Sequence, residues 1–181
     1  MGNLEKRIQT IKMLILDVDG VLTDGGIILG PGSMELKKFH VRDGMGIRLA
    51  KASGLLVGIL TSRVSEIVRK RAEELGMDEV QQGFFRKEDG YQEILKKQGL
   101  RDEEVAYIGD DLLDIPILKR VGFAACVADA AEEAKKVSHY ITRKKGGDGA
   151  IREIVEMLLE AKGQREKALL TLLGPGRKQE S

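Results

Sequence analysis

Short apolar runs alternate with longer amphipathic segments along most of this chain. The first run, Met13 to Leu16, stops abruptly at Asp17. A continuous run of this length predicts a strand buried on both faces, as in a parallel sheet. Comparable runs predict strands over 55–60, 105–110, 122–128 and 139–142, with a shorter one over 79–82. Between them the period becomes helical. Asp43 is placed to cap a helix carrying Met45, Ile47, Leu49 and Ala50 and ended by Gly54. Ile67, Val68, Ala72 and Leu75 mark another helix, stopped by Gly76. Further helices are predicted over 89–98, 112–120 (Pro116 fits its first turns) and 131–136. From about Gly149 to Lys162, an apolar stripe of Ile151, Ile154, Val155, Leu158 and Leu159 predicts one more. The polar opening segment reads as a short helix or arm. Residues 18–26 read as a loop, and 27–29, 30–33 and 34–40 as strand, turn and strand, punctuated by Gly-Pro-Gly.

This alternation predicts an α/β fold: a Rossmann-like parallel sheet with helices on both faces and an inserted β-hairpin at about 24–40. The domain is expected over 1–163, followed by a C-terminal extension over 164–181. That extension begins as a short helix whose Leu169, Leu170, Leu172 and Leu173 could dock, then bends at Gly174-Pro175-Gly176. The stretch between Asp19 and the helix at Asp43 holds a hairpin but no large cap domain. Ligands of open parallel sheets bind beyond the carboxyl ends of the strands. Three polar groups fall there: Asp17/Asp19, Thr61/Arg63 and Asp110/Asp111/Asp114.

Composition narrows the reading. With 30 Lys+Arg against 29 Asp+Glu, the net charge of +1 offers no general attraction to nucleic acid or anionic lipid. Only 4% of residues are aromatic, which disfavours base-stacking platforms. The single Cys126 excludes an intrachain disulfide, and its apolar surroundings predict a buried structural thiol. Without a secretory signal or an apolar span, the chain reads as a soluble cytoplasmic protein with neither nucleic acid nor membrane as partner.

Carboxylates gathered at one rim repel each other unless a cation compensates them, and oxygen ligands suit Mg²⁺. An Asp there can attack a phosphoryl group, and a second carboxyl can protonate the leaving alcohol and then activate water. Thr61 and the following helix N-terminus could hold a phosphate oxygen. Lys87 could neutralise phosphate and nucleophile together. Taken singly, each Asp also fits a turn or a cap, Thr61 or Ser62 also fits a helix cap, and Lys87 also fits a solvated loop charge.

The motifs resemble those of the haloacid dehalogenase superfamily of phosphatases and, within it, the 3-deoxy-D-manno-octulosonate 8-phosphate phosphatase family. LDVDGVLTDG, Thr61, Lys87 in QGFFRK and IGDDLLD match the four superfamily motifs. FHVRDGMGIR, VADA and GGDGAIRE carry the narrower likeness, which covers about residues 10–160. The resemblance implies Asp17 as nucleophile and Asp19 as general acid/base, with Thr61 and Lys87 on the phosphoryl group. It implies Mg²⁺ held by Asp17, Asp110 and a backbone carbonyl of Val18 or Asp19, the family pattern favouring Asp19, with Asp111 and Asp114 in support.

The implied substrate is an acidic sugar phosphate in lipopolysaccharide precursor biosynthesis. Arg42, Arg63 and Arg152 are candidates for its carboxylate or sugar, because a guanidinium offers bidentate geometry. Phosphatases of nine-carbon, sialic-acid-type sugars often carry Glu at the position of Arg63, and such a substrate is the alternative, as is a catalytically silent phosphate-sensing scaffold. The family further implies a homotetramer in which hairpins form a central barrel, neighbours complete each site and the C-terminal tail helps expel product. The chain departs from relatives at Thr61-Ser62-Arg63, where Thr-Gly-Arg is common, and at His40, where Asn is common.

Overall fold

The computed structural model describes residues 2–32 and 34–174. Its strands are β1 (Met13–Leu16), β2 (Ile28–Leu29), β3 (Glu35–Leu36), β4 (Leu56–Thr61), β5 (Glu79–Gln82), β6 (Val105–Gly109), β7 (Phe123–Cys126) and β8 (Tyr140–Ile141). The α-helices are α1 (Gly2–Gln9), α2 (Val41–Ser53), α3 (Glu66–Glu74), α4 (Lys87–Gln98), α5 (Ile115–Leu118), α6 (Glu132–Val137), α7 (Ala150–Ala161) and α8 (Arg165–Leu173).

Six strands form one sheet in the order β5-β4-β1-β6-β7-β8, with every pairing parallel. All four residues of β1 are fully buried, as the unbroken apolar run requires. β1 lies between β4 and β6, with Leu16 in register with Ile59 on one side and Ile108 on the other. The chain reverses its winding direction there, so loops leaving β1, β4 and β6 open onto one crevice. One helical group joins α1, α2, α7 and α8, and a second joins α4, α5 and α6. Cys126 is fully buried, and burial raises its thiol pKa.

Several boundaries differ from the sequence reading. α2 starts at Val41, and its cap is His40, whose Nδ1 accepts from the Arg42 N–H at 3.3 Å. Asp43, expected in that role, lies inside the first turn and is buried. Its two oxygens instead accept from the N–H groups of Gly149 and Arg152, both at 3.0 Å, at the start of α7. α4 begins at Lys87 rather than at 89. The expected helix over 112–120 is a 3-10 turn (Leu112–Asp114) followed by the short α5. The hairpin β2–β3 is antiparallel, pairing Ile28 with Leu36, and Ser33 of its turn lies outside the described residues. In α8, Ala168 is buried and Leu169 and Leu172 pack against the core, whereas Leu170 and Leu173 are exposed. The bend expected at Pro175-Gly176 lies outside the described residues.

Candidate active site

The loop after β1 delivers Asp17 and Asp19, β4 ends at Thr61, α4 opens with Lys87, and the loop after β6 carries Asp110, Asp111 and Asp114. All of these line one cleft of about 130 Å³, together with Ser62 and Arg63. At its floor the Lys87 Nζ lies 2.8 Å from Asp17 Oδ1 and 2.6 Å from Asp114 Oδ1. Burial works to lower the pKa of this ammonium, but the two carboxylates outweigh it and the net direction is upward. Lys87 is a buried, paired cation, not a solvated loop charge.

Asp114 has its acceptor capacity filled. Its Oδ1 also accepts from the Tyr107 hydroxyl at 2.6 Å, and its Oδ2 accepts from the N–H groups of Asp110 at 2.9 Å and Asp111 at 3.1 Å. It organises the loop rather than facing a ligand. Asp111 caps the 3-10 turn, its Oδ1 accepting from the Leu112 N–H at 2.8 Å.

Ligand oxygens of Asp17, Asp110 and Asp114 all lie within 4.8 Å of one another. One ammonium among three carboxylates leaves the floor anionic. Burial, with the Asp114 charge adding, pushes Asp17 up to about 6. Burial, then the charges of Asp17 and Asp114, pushes Asp110 up to about 8. This deficit of positive charge is what a divalent cation fills, and the oxygen donors suit Mg²⁺. With Asp114 saturated, Asp17 and Asp110 are the available side chains. The Val18 carbonyl already accepts from the N–H groups of Val21, Leu22 and Thr23, at 3.2, 2.9 and 3.1 Å. The Asp19 carbonyl accepts no backbone hydrogen bond among the described residues, so it is the better third donor.

Thr61 is buried at the strand end, and its hydroxyl makes no hydrogen bond among the described residues. The cap of α3 is Ser65, whose Oγ accepts from the Val68 N–H at 3.5 Å, which leaves Thr61 and Ser62 free for a ligand. Only one of the three candidate arginines reaches the cleft. Arg63 Nε lies 3.6 Å from Asp19 Oδ2, and its Nη2 lies 3.3 Å from Glu35 Oε1. Arg42 and Arg152 line a separate cleft of about 390 Å³ beside α7, where Arg152 pairs with Glu156 at 2.7 Å. Of the three candidates, Arg63 alone lines this cleft within a single chain. Arg42 sits at the start of α2 and Arg152 on α7, and no residue of either helix lines the cleft beside β1.

Two residues escaped the sequence reading. Lys37, just beyond β3, has its side chain buried and pairs with Asp19 Oδ1 and, at 3.5 Å, with Glu35. Glu35 also accepts from the Ser65 hydroxyl at 2.6 Å. Glu35 and Lys37 are two positions apart and so share a face of an extended segment, a signal that was present in the alternation Glu35-Leu36-Lys37.

The haloacid dehalogenase-like hydrolase family profile matches residues 76–154. The 3-deoxy-D-manno-octulosonate 8-phosphate phosphatase KdsC of Escherichia coli is 44% identical over 160 residues, 88% of this chain and 85% of that protein. A crystal structure of 3-deoxy-D-manno-octulosonate 8-phosphate phosphatase from Yersinia pestis superposes with a TM-score of 0.88 at 43% identity, covering 91% of this chain and 89% of that one. The Moraxella catarrhalis enzyme, solved with magnesium, phosphate and KDO, gives 0.91 at 38% identity, covering 94% and 98%. With two acidic loops meeting beside β1 and likeness along nearly the whole chain, the protein belongs to the 3-deoxy-D-manno-octulosonate 8-phosphate phosphatase family of haloacid dehalogenase-like hydrolases.

Proposed function

We propose that the protein is a Mg²⁺-dependent phosphomonoester hydrolase that converts 3-deoxy-D-manno-octulosonate 8-phosphate to the free sugar acid and phosphate, in lipopolysaccharide precursor biosynthesis. The observation that carries the reading is the cluster of Asp17 and Asp110, at the ends of neighbouring parallel strands, with Lys87 from the start of α4. Lys87 engages Asp17 Oδ1 and leaves the other carboxylate oxygen to attack phosphorus. Asp19 gives a proton to the departing sugar oxygen as the Asp17–phosphate bond forms, then takes one from the water that cleaves it. Thr61 and Lys87 stabilise the phosphoryl oxygens. Held by Asp17, Asp110 and the Asp19 carbonyl, Mg²⁺ would supply charge neutralisation and orientation. Arg63, at the cleft mouth, suits the substrate carboxylate.

The reading extends to assembly and place. On the hairpin, Ile27, Ile28, Leu29, Met34 and Leu36 are all exposed in a single chain, as are Val64 and Phe85 near the cleft. Such a patch favours association, and a homotetramer whose neighbours cover each cleft fits it. No described helix is long and apolar enough to cross a membrane. The cytoplasm fits the substrate, because a doubly charged phosphate ester does not cross an apolar bilayer unaided.

The test is phosphate release from the eight-carbon acid phosphate and from a nine-carbon, sialic-acid-type phosphate, each with and without Mg²⁺, by the wild type and by Asp17→Asn. Selective, Mg²⁺-dependent release of the eight-carbon acid that is lost in Asp17→Asn is the expected result. Preference for the nine-carbon ester would overturn the substrate, and release that survives in Asp17→Asn would overturn the nucleophile.

A further inference from the structure

The segment 146–149 lies behind the acidic loops rather than in the cleft. Gly146 and Gly147 are buried there against the loop that carries the nucleophile. A Cβ at Gly146 would stand 1.7 Å from the Gly20 carbonyl oxygen, so the two backbones are in direct contact. A Cβ at Gly20 would stand 2.0 Å from Asp110 Oδ2, so the other side of Gly20 abuts that carboxylate. Gly20 holds φ at 94°, a left-handed conformation that side chains resist, and both neighbours keep it there.

Hydrogen bonds tie the same parts together. The Gly147 N–H donates to the Val21 carbonyl at 3.0 Å. The Gly146 N–H donates to Asp129 Oδ1 at 3.0 Å. Two residues beyond Asp129, the Ala131 N–H donates to the Asp110 carbonyl at 2.7 Å. The contacts thus close a ring that runs from Asp110 through Ala131, Asp129, Gly146 and Gly20 back to the Asp110 carboxylate. Buried Asp43 fixes the far end of the segment through Gly149 and Arg152.

We infer that Gly146 and Asp129 are positioning residues of the reaction: through the Gly20–Val21 peptide they hold Gly20 against Asp110, and so set the spacing between the preceding Asp19 carbonyl and the Asp110 carboxylate, two donors to the divalent cation. The inference rests on the Mg²⁺-phosphatase reading. It assigns a role to residues that touch neither phosphate nor sugar. A ligand cage is sensitive to such outer support, whose loss typically lowers metal affinity about 10–100-fold.

The experiment measures Mg²⁺ affinity by isothermal titration calorimetry on the full chain, beside thermal melting and steady-state kinetics. Gly146→Ala should weaken Mg²⁺ binding about tenfold or more. Asp129→Ala, which removes one partly solvated tie, should weaken it several-fold, and Asp129→Asn, which keeps Oδ1 as acceptor, should restore it. At saturating Mg²⁺, KM for the phosphate ester should stay near the wild-type value in every soluble variant. Leu158→Ala, a core truncation in α7 away from the ring, should lower the melting temperature without moving Mg²⁺ affinity. Wild-type affinity in Gly146→Ala and Asp129→Ala would overturn the inference, as would an equal loss in Asp129→Asn or Leu158→Ala. A wild-type protein that binds no Mg²⁺ would instead overturn the functional reading beneath it.

Discussion

Stripping Mg²⁺ should destabilise this protein far more near pH 8 than near pH 5.5. Without metal, Asp17 titrates near 6 and Asp110 near 8, against an ordinary value of 3.8. Both folded values lie above the unfolded one, so through this window the folded state keeps protons that the unfolded chain has released. Stability of the metal-free protein therefore falls as pH rises from about 4 to about 8. The displacement of Asp17, about two units, corresponds to about 3 kcal/mol at the order-of-magnitude level. Asp110 acts in the same direction, and the two carboxyls titrate as a pair rather than independently. Mg²⁺ competes with those protons. Near pH 8 it meets carboxylates that are largely ionised, whereas near pH 5.5 it must first displace protons. At a hundred times its dissociation constant the ion adds about 2.7 kcal/mol. In a chain of this size each kcal/mol moves the melting temperature by about 2–4 °C, so the gain near pH 8 is about 5–11 °C. Differential scanning calorimetry in excess Mg²⁺ and in EDTA at the two pH values measures both effects. The Mg²⁺ increment should shrink sharply in acid, while the EDTA sample should itself melt higher there. An equal increment at both pH values, or a larger one in acid, would refute the reasoning.

Two other perturbations follow from the geometry. Lys87→Met leaves Asp17 and Asp114 without their shared cation, and loss of one partner from a buried pair costs about 3–5 kcal/mol. The melting temperature in EDTA near neutral pH should fall accordingly, and turnover should drop at least a hundredfold in a phosphate-release assay. For the homotetramer proposed above, Leu29→Asp combined with Leu36→Asp should shift the sedimentation coefficient to that of a smaller species, with the far-ultraviolet circular dichroism retained.

Much of the site could be read from the sequence because its residues sit where periodic segments end. The apolar run into Asp17 and the run from Val105 into Asp110 located the two central strands, and parallel pairing then brought their ends together. Thr61 followed from the same logic at the end of β4. What periodicity did not carry were contacts between distant segments. Asp43 has the residue type and position of a local cap, yet its carboxylate serves α7, and His40 does the local work. Asp114 could be placed at the rim, but nothing local showed that Tyr107 and Lys87 would fill its lone pairs. Lys37 looked like one of many lysines in a polar stretch. Its side chain is buried because the hairpin folds back over Asp19, a path fixed by tertiary packing. Arg42 and Arg152 illustrate the converse: attractive chemistry alone does not tell which side of a helix layer a guanidinium occupies.

The place of β1 between β4 and β6 also has a consequence for synthesis. A strand inside a parallel sheet needs both neighbours, and one of them is encoded far downstream. A nascent chain that has reached α4 already contains Asp17, Thr61 and Lys87, but β1 still has one edge unpaired and Asp110 has not been made. Non-local pairing of this kind forms late and leaves hydrogen-bonding edges exposed meanwhile. The acidic floor is therefore assembled as a unit, once Val105–Gly109 and the loop with Asp110 and Asp114 have emerged and the strand has slotted in beside β1.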